Sequence, residues 1–112
     1  MAIELQFDTT TVGERSVVSV RGEIDAYTSP RLREQLTRLM DEGHYQLVVD
    51  LEGVEFMDST GLGVLVACLK RAKEHGGDLS LVCTSPQILR VLSITGLDRV
   101  FQVRAAVDEG ND

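Results

Sequence analysis

The sequence predicts an α/β fold, with a mixed, mostly parallel sheet of four to five strands and helices mainly on one face. Three observations predict it. Short apolar runs alternate with stretches of helical spacing across short loops, and that alternation calls for parallel pairing through right-handed crossovers. The dipeptides Ser29-Pro30 and Ser85-Pro86 each stand before a helical stretch, as a capping residue followed by a first-turn proline should. Asp50, Ser80 and Ser19 interrupt the apolar runs at alternating positions, whereas a parallel sheet covered on both faces reads as nearly continuous apolar runs.

The elements follow in order. Ile3, Leu5 and Phe7 alternate with polar residues, the period of a strand with one buried face. The polar segment Thr9 to Glu14, containing Gly13, is read as a turn, and Ser16 to Arg21 as the second strand of an antiparallel hairpin. In GEIDAYTSPRLREQLTRLMDEG the Ser29 hydroxyl is expected to cap a helix bearing Leu32, Leu36, Leu39 and Met40, which Gly43 ends. Leu47 to Leu51 is a strand that runs into a short acidic loop ending at Met57-Asp58-Ser59-Thr60. Gly61-Leu62-Gly63 then opens a helix from about residue 60 to residue 75, which Gly76-Gly77 breaks. Leu79 to Cys83 is a short strand, Gln87 to Thr95 a helix stopped by Gly96, and Arg99 to Val103 a last strand. The domain is expected to span residues 1–103, with a C-terminal tail, 104–112, largely disordered because DEGND has no apolar residue.

The middle helix departs from simple amphipathicity. Leu62, Leu65, Val66 and Leu69 share one side, yet Val64, Ala67 and Cys68 occupy the other, where charge is expected. Two explanations fit: packing against a neighbouring helix, or an apolar landing patch for a partner beside Ser59.

Composition narrows the function. The chain has 112 residues, 43% hydrophobic and 26% charged, which suits one soluble domain with its own core. No apolar run approaches the roughly 20 residues of a membrane span, and the start lacks a signal-peptide pattern, so a cytoplasmic protein is expected. A net charge of −7 without a basic stripe argues against direct nucleic-acid binding. Cys68 and Cys83 form no CxxC pair and have no histidine at metal-ligand spacing, so they read as reduced, partly buried thiols acting as small hydrophobes, with a redox switch as the minority alternative.

Ser59 is the residue with chemistry to offer. It falls where a strand has ended and a helix begins, beside free backbone N–H groups and the positive end of the helix dipole. Such a place tolerates a carboxylate, a bound phosphate or a covalently attached one, and Gly61 and Gly63 leave room for another backbone to approach. As an enzyme nucleophile Ser59 would need a base. The histidines, His44 and His75, each adjoin a glycine at a helix end, where they suit terminal carbonyls. MDSTG is not a GxSxG elbow, and no P-loop or dinucleotide fingerprint occurs. No enzyme activity, metal or cofactor is expected. Asp25, Glu52, Glu55 and Asp58 are loop acids without a metal motif.

The stretch VVDLEGVEFMDSTGLGVLV, with GEIDAYTSPRLREQL upstream, closely resembles the bacterial anti-sigma factor antagonists, the stand-alone members of the STAS domain family. The likeness covers roughly Ile3 to Val103, carries the highly specific DSTGLG motif, and is strongest toward the antagonists of actinobacteria. It implies a STAS-type (βα) superhelix and a partner-switching regulator. In that family the unphosphorylated antagonist binds an anti-sigma factor serine kinase and frees a sigma factor; a PP2C-type phosphatase reverses the kinase's phosphorylation of the antagonist. Carried over, the phosphorylated residue is Ser59, with Asp58 beside it and Asp25 on the acidic position of the GEID segment. The implied partner-binding set is Asp25, Asp58, Ser59, Thr60, Gly61, Leu62, Gly63 and Val64. A monomer or weak dimer is expected. The alternatives are a constitutive STAS interaction module, with Ser59 as a mere cap, and a small nucleotide-binding domain.

Overall fold

The structure, a computed structural model, describes residues 5–107. Strands β1 (Gln6–Val12), β2 (Arg15–Ile24), β3 (Gln46–Met57), β4 (Asp78–Val82) and β5 (Val103–Arg104) form one sheet whose order is the order of the chain. β1 and β2 are antiparallel and every later pair is parallel. Helices α1 (Ser29–Asp41), α2 (Ser59–Glu74) and α3 (Pro86–Thr95) make the crossovers, and a 3-10 turn, Leu97–Arg99, follows α3. A sheet that always grows in one direction through right-handed crossovers places every helix on the same face. That face holds the main core, where Val18, Val49, Leu51, Leu79 and Leu81 meet Leu32, Leu36, Leu65, Leu69 and Leu92. The opposite face carries only a small cluster of Val17, Val48 and Val82, with Val12 and Val107 against it. Ser19 lies opposite Asp50 there, its hydroxyl 3.4 Å from the carboxylate. The polar interruptions therefore mark the helix-free face, as the sequence indicates.

Several elements differ in extent from expectation. β1 continues through Thr11 to Val12, and the turn shrinks to Gly13, at φ +63°, and Glu14. Ile3 lies outside the described residues. The hydroxyl of Ser29 does not cap α1: Ser29 is already helical and buried, and Thr28 is the boundary residue. No side chain caps α1, and Asp25 instead organises the loop ahead of it, its Oδ1 accepting from the amides of Tyr27 and Thr28 at 2.9 and 3.0 Å. Ser85 does cap α3, although its contact to the Ile88 amide is long at 3.5 Å.

The largest difference is β3. The stretch expected as an acidic loop is strand as far as Met57. Its pairing with β2 slips twice, between Ser19/Asp50 and Arg21/Gly53 and again between Gly22/Val54 and Glu23/Phe56. Both slips add a residue to β3, so its inward side chains become Leu51, Val54 and Met57, three apart rather than two. Bulges of this kind break the period by which strands are read.

At the other end, Arg99 closes the 3-10 turn and only Val103 and Arg104 pair with β4. The chain thus keeps its place in the sheet past residue 103, with Val107 packed on the small cluster; the DEGND segment, 108–112, lies outside the described residues. Among the described residues no helix is long and apolar enough to cross a membrane.

Candidate functional site

β2 and β3 end side by side: Ile24 pairs with Met57, and the Asp58 amide donates to the Ile24 carbonyl at 3.1 Å. That bond sets the β2–α1 loop, with Asp25, next to the start of α2, with Asp58 and Ser59. Loops at the carboxyl ends of parallel strands are where α/β sheets collect their binding residues.

The start of α2 corrects one expectation. Asp58, not Ser59, is the N-cap. It has extended backbone (φ −100°, ψ −173°), and its Oδ1 accepts from the Thr60 amide at 2.9 Å. The same oxygen accepts the Thr60 hydroxyl. That hydroxyl bond, with the Thr60 and Gly61 amides, holds the Asp58 carboxyl below the usual carboxylate range despite some desolvation. The helix-end donors are therefore already engaged by a carboxylate. Ser59 is the first helical residue and exposed, and its hydroxyl has no hydrogen-bond partner among the described residues. A group attached to that oxygen would face outward, beside Asp58, rather than settle into the helix end.

The eight expected partner-binding residues divide in two. Asp25, Asp58, Ser59, Thr60 and Gly63 reach the surface, while Gly61, Leu62 and Val64 are buried. A Cβ on Gly61 would stand 2.5 Å from Ile24 Cγ2 and 2.8 Å from Met57 Cγ. Its bareness serves the packing of α2 on the ends of β2 and β3. Around Gly63 nothing lies within 4 Å of a built Cβ, so this glycine leaves the surface open. Val64 and Cys68, expected on an outward apolar side, are buried at 4% exposure, whereas Val66, expected in the core, is not. α2 packs against both the sheet and α1 and buries a wide face, with Gly61, Leu62, Val64, Leu65, Cys68, Leu69 and Ala72 inside. Val66 points out instead, beside exposed Ala67.

Sequence reasoning passed over Tyr27 and Phe56. Tyr27, in the loop that Asp25 organises, is 92% exposed, and Phe56, at the end of β3, is 45% exposed. A large aromatic ring between Ala26 and Thr28, outside any apolar run, is the available signal for Tyr27. Phe56 was hidden by the bulged period of β3.

Neither histidine accompanies Ser59. His75 caps the far end of α2, its Nδ1 3.0 Å from the Arg71 carbonyl and its ring stacked on Tyr45; sixteen residues of helix put it about 24 Å away. His44 follows the end of α1, at that same end of the molecule. Among the described residues no group of His, Cys, Asp and Glu is placed to hold a metal ion.

The family model of the STAS domain matches residues 6–110. The chain belongs to the STAS domain family. Within it, this STAS domain is 42% identical over 93 residues to the anti-sigma-B factor antagonist of Bacillus subtilis, covering 83% of this chain and 84% of that one. It is 38% identical over 106 residues to the anti-sigma-B factor antagonist of Staphylococcus aureus, covering 95% of this chain and 98% of that one. The crystal structure of an anti-sigma factor antagonist from Mycobacterium paratuberculosis superposes on this STAS domain with a TM-score of 0.87 at 30% identity, over 98% of this chain and 95% of that one.

Proposed function

We propose that this STAS domain is an anti-sigma factor antagonist switched at Ser59. Unmodified, it binds an anti-sigma factor that is also a serine kinase, and so frees a sigma factor. The kinase phosphorylates Ser59 and thereby releases the antagonist, and a PP2C-type phosphatase restores it. The likeness to antagonists over nearly the full length of both chains supports the role. The observation that carries the switch is the exposed hydroxyl of Ser59, without a hydrogen-bond partner among the described residues, beside the ionised Asp58.

The energetics follow from that placement. Phosphate adds roughly −1.5 to −2 charge. Within the molecule it projects outward and the helix dipole partly offsets it, so the fold survives. Across an interface it joins Asp58 and Asp25 on one small surface, where a desolvated charge without a partner costs several kcal/mol. Binding is lost without unfolding.

The test pairs two measurements on the unmodified and phosphorylated protein: thermal melting, and calorimetric titration against the anti-sigma kinase with ADP or an ATP analogue. Melting temperatures should nearly coincide while affinities separate by at least about tenfold, or about 1.4 kcal/mol. Equal affinities would leave a constitutive interaction module in place of a switch. Affinity lost only through unfolding would sink the mechanism.

A further inference from the structure

Two hydroxyls stand side by side at the start of α2, both exposed, and a serine/threonine kinase has chemistry for either. Ser59 and Thr60 differ in what holds them. The Thr60 hydroxyl donates to Asp58 Oδ1, the same oxygen that accepts the Thr60 amide at 2.9 Å, while the Ser59 hydroxyl has no partner among the described residues. We infer that Asp58 is the positioning residue that selects the phosphoacceptor, holding the Thr60 hydroxyl back against the helix start and leaving Ser59 as the one presented. This inference rests on the phosphorylation switch proposed above.

Phosphoryl transfer from ATP forms a bond between the acceptor oxygen and the γ-phosphorus. It breaks the bond from that phosphorus to the β,γ-bridging oxygen, releases ADP and passes the hydroxyl proton to a base of the kinase. At Thr60 each requirement meets Asp58. The proton points at the Asp58 carboxylate and not outward, so a kinase base cannot take it without first breaking that bond. The hydroxyl's bond to Oδ1 turns the side chain toward its own N-cap, and the amide's bond holds that same acceptor oxygen in place. An incoming γ-phosphoryl group would approach a carboxylate kept ionised by those same bonds. A phosphate on Thr60 would then stand against Asp58 Oδ1 and displace it from the amide that starts the helix. At Ser59 the hydroxyl makes no bond to Asp58, and transfer leaves the cap in place.

Two arms test the assignment. In the first, carbon-detected NMR follows the titration of Asp58 in the wild type and in Thr60→Val. Removing the hydroxyl should raise the midpoint, and an unchanged midpoint would show that Asp58 does not hold it. In the second, the kinase captured by the unmodified protein is supplied with ATP and the phosphosites are mapped by mass spectrometry. Wild type should be labelled on Ser59, and Ser59→Ala should show only trace labelling at Thr60. Ser59→Ala/Asp58→Gly should gain Thr60 labelling by at least about tenfold over Ser59→Ala, glycine being a serviceable N-cap. Ser59→Ala/Asp58→Asn, which keeps an amide cap but not the charge, should fall between. Thr60 labelled in Ser59→Ala as readily as Ser59 in wild type would overturn the inference, as would no gain in either double variant. Either result leaves the Ser59 switch standing, whereas wild type unlabelled at Ser59 defeats the switch and the inference together.

Discussion

Replacing Asp58 with alanine removes the acceptor that starts α2, and should cost about 0.5 to 2 kcal/mol in chemical denaturation. Ser59→Ala, which removes no hydrogen bond among the described residues, should be nearly neutral. The Asp58 contribution also has a direction in pH. Its carboxyl ionises below the ordinary aspartate value of 3.8, so the stabilisation is fully present above that value and fades as pH falls through the lower, folded one. The stability gap between wild type and Asp58→Ala should therefore stay level through neutral pH and narrow in acid; a gap that widened in acid would contradict the assignment. Gly61 and Gly63 separate in the same experiment. Gly61→Ala forces a methyl onto Ile24 and Met57 and should destabilise by about 1 to 3 kcal/mol. Gly63→Ala meets open space and should stabilise by up to about 1 kcal/mol. Gly63→Leu should fold normally and weaken kinase binding by covering the approach to Ser59, and unchanged affinity would move the contact surface elsewhere.

At the scale of elements, α2 shows where the sequence was legible and where it was not. Its start and end could be read from Asp58-Ser59-Thr60 and Gly76-Gly77, because capping and glycine breaks are local chemistry. Its buried face could not, since a helix flanked by both α1 and the sheet hides more than one stripe. So Val64 and Cys68 went in, against the spacing, and Val66 came out. β3 failed for another reason: its bulges come from pairing with β2, which no single strand records. Of the site, the motif carried Ser59 and Asp58 together, but the division of labour between them needed the cap geometry, and Tyr27 was not found. Burial raises the thiols of both Cys68, inside α2, and Cys83, after β4, above the ordinary thiol value, so neither is an activated nucleophile. Cys68→Ala and Cys83→Ser should leave partner affinity unchanged, and alkylation of the native protein should be slow until it is unfolded. Fast native alkylation, or oxidation that altered binding, would count against that.

For the molecule as a whole, the two faces of the sheet are unequal. Leu65 is fully buried in the main core, and Leu65→Ala should cost about 2 to 5 kcal/mol. Val107 only partly covers the small cluster on the other face, and Val107→Ala should cost well under half as much in the same denaturation series. Comparable losses would mean that the helix-free face shares the burden equally. The strand order carries a consequence of another kind. Because each strand pairs only with the strands next to it in sequence, no contact in the sheet waits for a distant part of the chain to arrive. Each closure spans a hairpin or one strand–helix unit, and loop entropy stays modest at every step. Parallel sheets are usually slow to assemble because their pairings are remote. Here a growing chain emerging from a ribosome can add one unit at a time to the edge left by the last, and the surface bearing Ser59 is complete once β2, β3 and α2 have met.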